Sequence, residues 1–172
     1  MPSPVVRHLV ESACDAIIAK LQTDLPLALS DIRANRADNL VTMEPPRDYY
    51  VYPKAQGYRT PAVFVIGDRI DFMKAQHGAN HVNAAIRVNV TVLVEDKDAE
   101  RLMRKSYRYQ AAMHQVLDQA ALMTLDNQAR LTLVVQNASF SALYSNLEAG
   151  NPNAVFRQEI ALELDVYDFE QL

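Results

Sequence analysis

His77 and His81 stand four residues apart, which is the nearest this chain comes to a metal-binding motif. A zinc site needs three or four ligands, and no third is suggested here. The intervening "GAN" also disfavours helix and no glutamate follows the first histidine, so residues 74–83 read as a polar loop. "EDKDAE" (95–100) has the acid density of a calcium loop without its grammar. Counted from Asp96, the turn position that needs glycine is Arg101, and the closing position that needs glutamate is Tyr107. A helix start accounts for it better, with Asp98 or Asp96 as cap and Glu100 in the first turn. Cys14 could serve as a nucleophile only with a base such as His8 or His114; spacing leaves that pairing open, and nothing in the sequence supports it. Within an apolar helical stripe it reads as a small buried hydrophobe. Glycines 57, 67, 78 and 150 are too scattered for a phosphate loop or a dinucleotide fingerprint. The expectation is a protein without catalytic residues, metal or organic cofactor, and not an enzyme. A small hydrolase or ligand-binding α+β domain built on the His77/His81 loop is the contrasting reading.

Composition narrows the classes further. The chain has 172 residues, 49% of them hydrophobic and 22% charged, which suits one globular α+β domain over 1–172 with a real core. A net charge of −4 and a pI near 5.5 argue against gripping nucleic acid with the whole surface. One cysteine cannot form an internal disulfide, so a reducing compartment is expected. No basic leader with an apolar run opens the chain, and no stretch of 18 apolar residues predicts a membrane span.

These residues must be positioned by recognisable elements. Ser3 and Pro4 resemble a helix start, and Val6, Leu9, Val10, Ala13, Ile17, Leu21 and Leu25 recur at helical spacing. Pro26 is expected to end that helix or to open a second one, capped by Asp24 and running to about Asn35. Residues 40–61 hold four of the eight prolines and four of the eight tyrosines between Pro45 and Pro61, predicting an extended arm or loop. "AVFVIGD" (62–68) reads as a buried strand, with "RIDFM" returning beside it as a hairpin. Ile86, Val88, Val90, Val92 and Val94 alternate cleanly with Arg87, Asn89 and Thr91. A helix from 98 to about 122 follows, with Leu102, Tyr109, Met113, Val116, Leu117 and Ala120 as its core stripe. Strands at 130–144, with a bulge near Asn137, and at 155–169 close the pattern. The sum is a mostly antiparallel sheet of four to five strands, covered on one face by two amphipathic helices. The other face carries Arg87, Asn89, Thr91, Arg157, Glu159, Glu163 and Asp165, and is wet or meets a partner.

Two surfaces remain as interface candidates. Arg101, Arg104, Lys105 and Arg108 share one side of the second helix, either as a partner surface or as a solvated face with internal pairs such as Glu100–Arg104. Tyr49, Tyr50, Tyr52 and Tyr58 belong to the arm, which either reaches a neighbour or folds back on its own sheet. Residues 156–170 carry five acids against Arg157 alone, and 96–108 carry five bases against three acids. A basic helix and an acidic strand holding Glu159, Glu163 and Asp165 would let copies meet head to tail, a heterologous contact that can close into a ring.

The order is an N-terminal amphipathic helix, a proline-rich arm, the strand "TPAVFVIGD", and the long strand "AAIRVNVTVLVEDKD". The last runs into "AERLMRKSYRYQAAMHQVL" and two closing strands. That order resembles bacteriophage tail terminator proteins. The resemblance covers most of the chain but rests on element order rather than a short motif, so it assigns no residue a role. It implies a ring, a hexamer in that family, that ends tail-tube polymerisation and joins the head connector. The implied partners are other copies of itself, tail tube protein and a head-completion or connector protein, with DNA only passing through the lumen. An acidic lumen would let DNA slide, because carboxylates repel phosphates. The implied location is the virion tail, assembled in the host bacterial cytoplasm, with no membrane involved. Another head–tail joining or tube-like structural subunit is the alternative.

Overall fold

The computed structural model describes residues 9–36, 41, 43–52, 57–73, 83–124, 130–145 and 152–168. His8, the His77/His81 loop, the Ser3–Pro4 start and Glu170 lie outside the described residues. The elements run α1 (Leu9–Arg36), β1 (Asp48–Tyr50), β2 (Ala62–Met73), β3 (Asn83–Asp96), α2 (Ala99–Leu117), β4 (Ala121–Met123), β5 (Arg130–Phe140), β6 (Tyr144–Ser145) and β7 (Phe156–Asp168). This is an α+β fold.

The sheet has seven strands rather than four or five, in the order β1-β2-β3-β7-β5-β4, with β6 also paired to β7. The excess comes from β1, β4 and β6, which are two or three residues long and too short to show a period. All pairs are antiparallel except β1 with β2. Alternation sorts the two faces as expected. Ile86, Val88, Val90, Val92 and Val94 on β3, with Ile160, Leu162, Leu164 and Val166 on β7, are all fully buried on the helix side. They pack in one cluster with Ile17, Leu21 and Leu25 of α1 and Leu102, Tyr109 and Met113 of α2. Burying such side chains contributes about 1.5–3 kcal/mol each, so this interlayer core dominates the fold's stability.

Three local expectations change. α1 is one helix of 28 residues that continues through Pro26. A proline inside a helix costs a hydrogen bond, but Leu25 before it and Ala28 and Leu29 after it are buried in the same core and hold the axis. "RIDFM" does not turn back. β2 runs on to Met73, with a register shift between Gly67 and Arg69. The second helix stops at Leu117, where Asp118 takes an extended conformation, and Ala121–Met123 pairs as β4 instead. The break near Asn137 is present, between Val135 and Asn137.

Candidate functional site

Asp98 caps α2: its Oδ1 accepts from the Arg101 backbone N–H at 2.8 Å. Asp96, just before it, accepts from the Asp98 N–H and holds two cations of the following helix. Arg101 Nη2 lies 2.8 Å from Asp96 Oδ1, and Lys105 Nζ lies 3.1 Å from Asp96 Oδ2 and 3.0 Å from the Glu95 carbonyl. Burial pushes the Asp96 carboxyl up, but the Asp98 N–H, Lys105 and Arg101 outweigh it and hold the group below the ordinary carboxylate range. Arg104 Nη2 pairs with Glu100 Oε1 at 2.8 Å one turn back. Arg108 is only 6% exposed. The basic stripe is therefore not one open cationic face. Arg101 and Arg104 reach solvent already paired, Lys105 is largely covered, and Arg108 is buried beside a cavity between the helices.

The acidic strand is likewise answered within the chain. On the face away from the helices, Arg87 of β3 sits opposite Asp165 of β7, with Nε 3.3 Å from Oδ1. The same guanidinium reaches Glu163 Oε1 at 3.1 Å, and Asn137 of β5 donates to Glu163 Oε2 at 3.3 Å. Eight residues further along β3, Arg157 Nε meets Glu95 Oε2 at 3.2 Å. The result is opposite-charge pairing between β3 and β7, with Asn137 of β5 hydrogen-bonded to it, the cross-strand pairing that a wet sheet face favours. Glu159 alone of the three acidic candidates is exposed, with the Tyr144 hydroxyl 3.5 Å from its Oε1.

The arm folds back where it is described. β1 pairs Tyr49 with Val63 and Tyr50 with Phe64. Alternation sends Tyr49 inward against the main core, where burial pushes its hydroxyl up to about 12. Tyr50 goes outward and stacks on Phe64 at 5.6 Å, while Tyr58 meets the same ring edge-on at 5.6 Å. With Ala62, Ile66 and Leu93 they form a second, small cluster on the outer face. Tyr52 remains exposed at the end of β1. The Tyr109 hydroxyl, buried on α2, donates to the Glu44 carbonyl and ties the arm to the helix layer.

Sequence reasoning missed a third surface. Tyr107 projects from α2 on the side opposite Tyr109, and its ring meets Phe140 of β5 edge-on at 5.4 Å. Both are exposed, as are neighbouring Leu143 and Tyr144. The signal was present in Phe140, which opposes inward Ile160 and so belongs to the helix side of the sheet. That side is not fully covered there, since Phe140 keeps 38% of its surface exposed.

Among the described residues, reactive groups do not converge. The Cys14 thiol is pushed up to about 11 by burial, against a hydrogen bond to the Gly67 backbone that lowers it, and so stays protonated. Among the described residues no group of three or more His, Cys, Asp or Glu comes together to hold a metal. A cavity of about 220 Å³ lies between the arm and α2, lined by Glu44, Arg47, Glu95 and Lys105. Another of about 240 Å³ lies between the helices, lined by Arg36, Arg104, Tyr107 and Arg108. Neither holds a nucleophile beside a base. No described helix is long and apolar enough to cross a membrane.

No protein-family model matches the chain, and no curated protein matches it in sequence. Among solved structures, the fold is similar to a chain from the "Virion of native gene transfer agent (GTA) particle". The TM-score is 0.50 at 14% identity, over 90% of this chain and 92% of that one. A second solved structure aligns over 89% of this chain and 97% of its own at 11% identity, with a TM-score of 0.43. The fold of this chain is thus one also used in a phage-like virion particle.

Proposed function

We infer that the chain is a structural subunit of a phage or phage-like virion, forming a ring that ends the tail tube and joins tail to head. The observation that carries this reading is the near end-to-end likeness in fold to a gene transfer agent virion chain. The surfaces fit an assembly role. Exposed aromatic side chains gather at the sheet's ends, and the polar groups are used up in structural pairs rather than aimed into a cleft. In this reading Arg101, Arg104, Tyr52 and Glu159 stand at subunit contacts. Lys105, Arg108, Tyr49, Tyr50, Tyr58, Glu163 and Asp165 shape those contacts from beneath. The subunit needs no cofactor, and its work is binding rather than chemistry.

Deleting the gene in a particle-producing host tests the reading by electron microscopy. The expected result is tails of uncontrolled length with free heads, and rescue when the purified protein is supplied. Normal tails joined to heads overturn it. Tails of normal length that fail to join heads would make the chain a joining subunit instead.

A further inference from the structure

Apart from Leu27 on α1 and Met123 on β4, the large exposed apolar side chains gather toward opposite edges of the sheet. Val51 and Tyr52 stand at the end of β1, while Tyr107, Phe140, Leu143 and Tyr144 collect around the far end of β5. Both edges are open along most of their length. β4 covers β5 only from Arg130 to Thr132, and the Leu133 and Val135 N–H groups are then taken by the Ala120 carbonyl and Asp118 Oδ1. From Gln136 to Phe140 every residue is exposed, and none is charged or proline. Natural edge strands are usually blunted by charge, proline or cover. At the other edge β1 pairs only Ala62–Phe64 of β2, and no described strand pairs the rest.

We propose that neighbouring copies of this chain join edge to edge, β5 of one against β2 of the next, so that one sheet continues around the ring. The inference rests on the ring reading above and names its interface. A continued sheet keeps the helix layers on one side. Arg104 and Arg36, beside Tyr107, then face the start of the next copy's α1. That helix end lies over β2, with Val10 and Cys14 against Gly67, and carries Glu11 and Asp15 one turn apart. Basic meets acidic, and the uncharged β5 edge adds no like-charge repulsion. A second copy is the fitting occupant because one chain carries both complementary halves, the condition for a heterologous, ring-forming contact.

Native mass spectrometry of the full chain tests this with two charge-reversed variants, Arg104→Glu and the pair Glu11→Arg with Asp15→Arg. Glu11 and Arg104 are exposed and Asp15 is half-buried, and a thermal midpoint close to wild type confirms folding. Each variant alone should associate about tenfold more weakly or worse, because every junction now opposes like charges. Mixed together they should form rings in which the two variants alternate one to one, since each acidic half meets a basic one. Phe140→Asp should weaken association without being rescued by mixing. Wild-type association by either charge variant alone, or mixtures no better than their parts, overturns the edge-to-edge interface while leaving a ring possible by another contact. A wild-type chain that stays monomeric overturns the inference, and the tail-length phenotype still judges the proposed function separately.

Discussion

Asp118, which closes α2, accepts a hydrogen bond from the backbone N–H of Val135 on β5, with N and Oδ1 3.1 Å apart. A helix end thereby covers one donor of a strand edge that would otherwise be open. Asp118→Ala should cost about 0.5–1.5 kcal/mol in urea unfolding and speed hydrogen exchange at the Val135 amide. Asp118→Asn keeps an acceptor and should recover most of the loss. Unchanged exchange at Val135 in the alanine variant would show that the contact contributes nothing.

Gly67 is the close approach between β2 and α1, and a Cβ there would overlap the Val10 Cγ1 methyl. Gly67→Ala should destabilise by about 1–3 kcal/mol through overpacking. Val10→Ala in the same chain removes the obstructing methyl, so the double variant should lose less than the two single losses added together. Strict additivity would count against the clash.

The Arg59 side chain and then its backbone N–H hold the Asp48 carboxyl at about 2, well below its ordinary 3.8. A depressed carboxylate contributes stability above its unfolded pKa and loses it as pH falls through the folded one. The loss attributable to this pair should fall between about pH 4 and pH 2. Arg59→Ala should bring the Asp48 midpoint, followed by NMR, back toward the usual carboxylate range.

Cys14 gives the alkaline counterpart. Burial raises its thiol from 9.0 to about 11, so the folded state holds the proton longer than the unfolded chain. Stability is present below pH 9 and declines as pH rises through 11. Cys14→Ala should flatten that decline, and a thiol reagent at pH 8 should label Cys14 only at the rate of unfolding. Fast labelling of native protein would contradict the burial.

Much of this architecture could be read from local pattern. The alternation of Ile86 to Val94 and the stripe of Leu102, Tyr109 and Met113 name core faces because period alone decides which side chains share a side. Pro26 misleads because local propensity sees a missing donor, whereas Leu25, Ala28 and Leu29 anchor the helix on both sides of it. The charged candidates were harder for a different reason. Arg87 finds Asp165 across 78 residues of chain, and only the strand order puts β3 beside β7. Without that order Glu163 and Asp165 look like an open acidic stripe. Arg101 and Lys105 are hard to read for a similar reason, since the strand's last residue, Asp96, turns back under the helix to meet both. Tyr107 and Phe140 lie in different elements, and no single period reveals that they touch.

β7, the last strand in chain order, lies between β3 and β5 in the middle of the sheet. During synthesis the ribosome delivers both flanking strands before the one that must separate them. Until residues 156–168 emerge, the valine-rich β3 and β5, charged only at Arg130, each wait with a raw flank. Such flanks template misassembly when they are long-lived. Premature termination or a protease cut upstream of Phe156 would therefore yield not a smaller subunit but a fragment prone to aggregate. The cell's quality control, rather than any later step, would decide its fate.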